Sequence, residues 1–214
     1  MIMAGIRKVS MRAQCYEIIK DKILRQEFEL GEEINIANLS LALSVSNTPI
    51  REALTQLESE GLVVSTLNAK PQVVFFTSES FRYISDTIAI LVKGAYELCI
   101  RDNKISELLS LMELSLISQE EKLSSGDEYS FIEELVAFDQ IVFDVLENPQ
   151  LMAVFKRLSN VLFLMYRTNL HWHKMDGSHS ISEHSKIVDT ISGGSHEEVG
   201  RLVSEHYHKS YQDL

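Results

Sequence analysis

The apolar positions along the chain follow one period for most of its length and depart from it once. Between residues 12 and 26, Cys15, Ile18, Ile19 and Ile23 recur at helical spacing, which predicts a helix with those side chains inward. Gly31 then breaks the pattern. Ile36, Leu39 and Leu43 predict a short second helix over 36–43, with Asn35 placed to cap it. The string Ser44-Val45-Ser46-Asn47-Thr48-Pro49 reads as a turn ending in a helix start. Thr48 is expected to cap, and Pro49 to take the first helical position, where its missing N–H has no partner to lose. Ile50, Leu54 and Leu57 share one face of this third helix, and Gly61 stops it.

The departure comes next. Residues 62–66 and 72–76 are rich in β-branched and aromatic side chains, with five residues between them, which predicts a hairpin of two short strands. Pro71 belongs at the turn or strand entrance, where it takes no ladder bond. Past a short linker at 77–80 the helical period returns, with spans near 80–101, 104–124, 128–146, 149–172, 180–192 and 196–212. The predicted fold is therefore mainly α: a winged helix-turn-helix of three helices and a small hairpin over 1–76, then an all-helical bundle over 81–214.

Charge changes this picture by its distribution. The total is −11, but residues 1–76 hold eight cations against nine anions, leaving −10 on the remainder. The first part can approach phosphate; the second would be repelled by it. Cys15 and Cys99 match no metal or redox spacing and read as reduced thiols of a cytoplasmic protein. The longest apolar run, 161–166, is too short to span a bilayer, so no membrane partner is expected and the protein is expected to be soluble.

In a helix-turn-helix the second helix of the pair presents its N-terminal residues to the major groove. Here these are Ser46, Asn47, Thr48, Pro49 and Arg51. Hydroxyls and the helix terminus suit phosphate, Arg51 suits a guanine edge, and Asn47 suits adenine. The wing tip, Asn68-Ala69-Lys70, is placed for the backbone or minor groove. Pattern alone leaves open a small helix-and-hairpin fold with no DNA role.

The run from Tyr16 to Phe76 resembles the N-terminal domain of the GntR family of bacterial regulators. The residues carrying the resemblance are Gly31-Glu32, Leu39-Ser40, Leu43-Ser44-Val45-Ser46, Asn47-Thr48-Pro49-Ile50-Arg51-Glu52-Ala53-Leu54 and Leu57-Glu58-Ser59-Glu60-Gly61-Leu62-Val63. It implies binding to a near-palindromic double-stranded DNA operator as a homodimer. Two departures stand out. Asn47 occupies a position where the family usually has arginine, and Lys70-Pro71 replaces the usual arginine–glycine wing tip. Both predict weaker binding or a different operator preference.

All seven histidines lie from His171 onward: His171, His173, His179, His184, His196, His206 and His208. Most of them are expected to be solvated surface residues, although such crowding raises the question of a metal. The acidic helical part resembles the FCD effector domain of the FadR subfamily, carried by Phe138-Asp139 with Asn148-Pro149, Glu183-His184 and His206. The resemblance implies a divalent metal (Zn, Ni, Mn or Fe) held by an aspartate and three histidines. Two of those four positions differ here, one being Leu135 and the other Asp139, which leaves Asp139, His184 and His206 as a two-histidine, one-carboxylate set. The alternative is a metal-free cavity with the two histidines hydrogen-bonded inside. Arg167 aligns with a position where relatives often carry arginine, which implies a small organic acid effector paired to it; a plain helix-surface salt bridge is the competing role. Tyr166 and Tyr96 are further pocket candidates.

The function these features support is ligand-responsive transcription regulation, by a repressor or activator, without enzyme activity. Two alternatives remain open: a DNA-binding dimer whose cavity no longer senses anything, and a metal-dependent enzyme using Asp139, His184 and His206. The enzyme would leave the winged helix without a role and has no placed general base or nucleophile.

Overall fold

The computed structural model describes residues 10–67, 69–172 and 177–209, without the side chains of 169–172 and 209. The chain forms two compact units that divide between Phe75 and Phe76.

The first unit holds α1 (Met11–Leu24), α2 (Ile36–Leu43), α3 (Asn47–Ser59), β1 (Val63–Val64) and β2 (Gln72–Val73). Cys15, Ile19 and Ile23 of α1 are buried, whereas Ile18, expected inward, is 40% exposed. Positions 15, 19 and 23 repeat every fourth residue down one stripe, and Ile18 stands about 100° off Ile19 around the helix. Asn35 caps α2 as expected, its Oδ1 accepting from the N–H groups of Ala37 (3.0 Å) and Asn38 (3.1 Å). The start of α3 differs from expectation. Ser46, not Thr48, is the N-cap, with extended backbone, and Pro49 is the third helical residue. Pro49 costs nothing there either, because N–H groups throughout the first turn lack intrahelical acceptors.

The hairpin is shorter than its β-rich sequence suggests, pairing only Val63 with Val73 and Val64 with Gln72. The other edge of β2 is taken by the chain before α2. Val73 N–H donates to Glu32 O (2.9 Å), Gly31 N–H to Val73 O (3.2 Å) and Ile34 N–H to Pro71 O (2.7 Å). Gly31 reaches this edge at φ +81°, in the left-handed region that favours glycine. Ile34, Ile50, Leu57, Leu62 and Val73, all fully buried, form the core between hairpin and helices.

The second unit is all helical: α4 (Ser78–Arg101), α5 (Ile105–Ser125), α6 (Glu128–Leu146), α7 (Pro149–Trp172), α8 (Ser178–Ser192) and α9 (His196–Lys209). The stretch 77–80, read as linker, instead starts α4. Thr77 Oγ1 accepts from Ser80 N–H (3.1 Å) while Ser80 Oγ accepts from Thr77 N–H (2.9 Å), a reciprocal cap. Asn148 caps α7 through Oδ1 to the N–H groups of Gln150 (3.0 Å) and Leu151 (3.2 Å). α4 packs on α6 and α9, α5 on α6 and α8, α6 on α7, and α8 on α9. Phe81, Phe143 and Phe155 fill the interior, the last two stacked at 4.6 Å. Among the described residues, no helix is long and apolar enough to cross a membrane.

Candidate functional site

Two surfaces carry chemistry, one in each unit. In the first, α3 buries Ile50, Ala53, Leu54 and Leu57 and turns Ser46, Asn47, Thr48 and Arg51 to solvent. Ser46 makes no side-chain cap bond, so the hydroxyl and the first-turn N–H groups face outward together. Pro49 is half-buried beneath them. Arg51 makes no ion pair among the described residues. Lys70 is exposed but bridged to Glu33 at 2.8 Å, which neutralises part of the wing's charge. Asn68 of the wing tip lies outside the described residues.

In the second unit five helices bring polar side chains to one buried point. Asp139 comes from α6, Tyr166 from α7, His184 from α8, His206 and Tyr207 from α9, and Gln119 from α5; all six are buried. A carboxylate oxygen of Asp139 and a ring nitrogen of each histidine lie within 4.8 Å of one another. Tyr166 Oη donates to Asp139 Oδ2 at 2.8 Å, and Tyr207 Oη donates to Asp139 Oδ1. His184 stacks on Phe138, ring centres 3.9 Å apart and nearly parallel.

The tautomers follow from the partners. Glu183 Oε2 stands 2.8 Å from His206 Nδ1, and a carboxylate only accepts, so that nitrogen carries the proton. Gln119 donates through Nε2 to Ser115 Oγ (3.2 Å), which turns its Oε1 to His184 Nδ1 at 2.9 Å and places a proton there too. Both Nε2 atoms then face each other at 3.3 Å. Two lone pairs at that range repel unless a proton or a metal ion lies between them. Burial, with His206 beside it, holds the His184 pKa well below the ordinary histidine range, so an added proton is resisted there. The 3.3 Å gap is that of two nitrogens each about 2.0–2.1 Å from one ion at a near-tetrahedral angle. The donor set therefore fits a metal, and Glu183 and Gln119 act as outer partners that orient the histidines.

Burial raises the Asp139 pKa, against the pull of His206 and the two tyrosine hydroxyls. It raises both tyrosines well above their usual range, reinforced by the Asp139 charge, so both stay neutral donors. A cavity of about 20 Å³ borders Asp139, His206 and Tyr207, which is room for about one water.

Of the pocket residues named from the sequence, Tyr166 joins the cluster. Tyr96 is buried but bonds His196 Nδ1 at 2.7 Å. Arg167 pairs with Glu128 at 3.4 Å. His179 pairs with Glu183 at 3.2 Å and His208 with Asp86 at 2.8 Å, while His171 and His173 fall outside the described side chains. Sequence reasoning missed Tyr207, Gln119 and the role of Glu183. A signal for Gln119 was present: Ser115 and Gln119 continue the buried stripe of Leu108 and Met112, and polar residues on such a stripe need a partner.

Residues 11–68 match "Bacterial regulatory proteins, gntR family", and residues 89–209 match the FCD domain. The chain is 25% identical over 206 residues to the uncharacterized HTH-type transcriptional regulator YdhC of Bacillus subtilis, covering 94% of this chain and 89% of that protein. It is 24% identical over 189 residues to the Nta operon transcriptional regulator of Aminobacter aminovorans, covering 87% and 86%. A crystal structure assigned as a GntR transcriptional regulator of Rhodococcus sp. RHA1 has the same fold, with a TM-score of 0.73 at 18% identity, covering 96% of this chain and 97% of that one.

Proposed function

Because this chain belongs to the GntR family of bacterial regulatory proteins and carries an FCD domain, we propose that it is a ligand-responsive regulator of the FadR type that binds a near-palindromic operator as a homodimer. The observation that carries the reading is the polar, outward N-terminal face of α3, set on a helix whose opposite face is locked into the core. Ser46, Asn47, Thr48 and Pro49 meet the phosphate backbone and adjacent base edges, Arg51 reads a guanine, and Lys70 touches the backbone from the wing. A near-palindromic operator calls for a dimer, since two such helices must reach successive major-groove faces one helical turn apart.

In the second unit Asp139, His184 and His206 hold a divalent metal, with Glu183 and Gln119 fixing the imidazoles and Tyr207 fixing the carboxylate. When bound, the ion supplies a Lewis-acidic centre to which an acid's carboxylate can add as a further donor. Arg167 takes the effector's other charge by exchanging it for Glu128, with Tyr96 as a further effector contact. Occupancy then favours one arrangement of the dimer, and operator affinity changes by the differential affinity of the ligand for the two states. The family and its relatives are transcription regulators, which supports the absence of enzyme activity.

One observation favours a second reading, a DNA-binding dimer that senses nothing. Asp139 is already satisfied by two tyrosine hydroxyls, and the cavity beside it is small. A single experiment separates the two. Operator affinity is measured at fixed salt with chelated protein, with zinc or nickel restored, and with a panel of di- and tricarboxylates. A several-fold change with one addition supports sensing; unchanged affinity and unchanged thermal stability across the panel refute it.

A further inference from the structure

We infer that Tyr166 is a fourth metal donor beside Asp139, His184 and His206, one that joins the set as tyrosinate when the ion is ferric iron and stands aside for a divalent ion. This inference rests on the metal reading above.

The argument starts from a shortage of protons. Tyr166 Oη lies 2.8 Å from Asp139 Oδ2 and 2.9 Å from His206 Nε2, and His206 Nε2 lies 3.3 Å from His184 Nε2. Both imidazole protons are committed to Glu183 and Gln119. Four electron-rich atoms thus form a chain of contacts with only the phenol proton among them. Their 2.8–3.3 Å spacings are also the edge lengths between ligands about 2.0–2.1 Å from a common ion. Tyr207 holds the other Asp139 oxygen, leaving Oδ2 for the cluster.

Charge decides what each ion requires of Tyr166. In a buried site an uncompensated charge is costly. The anions present are the Asp139 carboxylate and Glu183 behind His206, which together balance a divalent ion with Tyr166 still protonated. A trivalent ion is balanced only when Tyr166 ionises as well. On binding, the Tyr166 O–H bond breaks, an iron–oxygen bond forms, and the proton leaves to solvent. Iron is ferric before and after. Tyrosinate is a hard anionic oxygen donor and is used by proteins to hold iron. Tyr166 therefore contributes strongly to ferric binding and little to zinc.

The test uses full-length protein stripped with a chelator, then given ferric citrate or zinc chloride. Ferric-loaded wild type is expected to show a visible tyrosinate-to-iron charge-transfer band, with tyrosinate modes in its resonance Raman spectrum. Tyr166→Phe is expected to lose the band, to bind ferric iron at least about tenfold more weakly and to release one proton fewer, with zinc affinity within about threefold of wild type. The lack of a band in iron-loaded wild type overturns the inference without reference to any variant. So does a Tyr166→Phe protein that binds ferric iron as tightly as, or more tightly than, wild type; in those cases zinc binding keeps the three-residue metal centre standing. Uptake of neither ion by wild type removes the metal centre itself, and this inference with it.

Discussion

Arg51→Ala tests the DNA-contact face most directly. Arg51 projects from the solvent side of α3, one residue from the buried Ile50, and makes no ion pair among the described residues, so its fork is available. A bidentate contact to guanine is worth about 1–3 kcal/mol of discrimination. The proposed dimer on two half-sites would lose it twice, about 2–6 kcal/mol, or roughly 30-fold to 20,000-fold in affinity at about 1.4 kcal/mol per decade. The fold should hardly notice, since an exposed substitution of this kind shifts stability by no more than about 0.5 kcal/mol. The local bond at this position, from Thr55 Oγ1 to the Arg51 backbone carbonyl (3.0 Å), does not involve the side chain. The assay is fluorescence anisotropy on a duplex recovered by selection from random sequence, repeated across a salt series. Loss of base contacts leaves the salt slope nearly unchanged, whereas loss of phosphate contacts reduces it by about one per contact. Arg51→Ala protein that melts like wild type and binds within about twofold of it would refute the assignment of α3 as the reading helix.

Three further outcomes are expected. Zinc or nickel at about 100 times its Kd should stabilise chelated protein by about 2.7 kcal/mol in denaturant unfolding, and His184→Gln should remove that gain; an equal gain in the variant places the ion elsewhere. Stability should fall as pH rises between about 9 and 12. Burial, opposed by Lys104 and aided by Asp102 and Glu107, pushes the Cys99 thiol from 9.0 up to about 11. Burial and the neighbouring Cys99 push Tyr96 from 10.0 up to about 12. The unfolded chain therefore releases both protons before the folded one does, and a Cys99→Ala protein should show a shallower alkaline decline in urea midpoints. Gly177→Ala should destabilise the helical unit by about 1–3 kcal/mol, because its Cβ would stand 2.5 Å from Phe131 Cε1 and 2.8 Å from Leu123 Cδ1; a midpoint equal to wild type would mean that the Phe131 ring moves aside freely.

How far the sequence reaches depends on the range of the interaction that decides each feature. Helix positions were legible because periodicity, caps and breaks act within a few residues. The spans read near 104–124, 128–146 and 149–172 appear as Ile105–Ser125, Glu128–Leu146 and Pro149–Trp172. The strands were overread, since β propensity at 62–66 and 72–76 says nothing of where a partner strand ends. The partner of β2 on its other side is the chain at 31–34, more than 35 residues away. Residues 77–80 looked like linker for want of apolar residues, yet Thr77 and Ser80 cap each other and begin α4.

The polar cluster divides in the same way. Asp139, His184 and His206 were found through a resemblance that fixes their places in the chain. That their ligand atoms converge within 4.8 Å depends on the packing of α6, α8 and α9, which no local pattern specifies. The fates of Arg167 and Tyr96, one paired with Glu128 and the other with His196, were decided by neighbours distant in sequence. By itself the sequence determined the order of helices, the turn into α3 and the face of α3 that must be apolar, because these are local balances of propensity, capping and periodicity. Only the tertiary structure decided which protons the buried histidines carry and that Tyr166 stands among them, because those depend on contacts made across five helices.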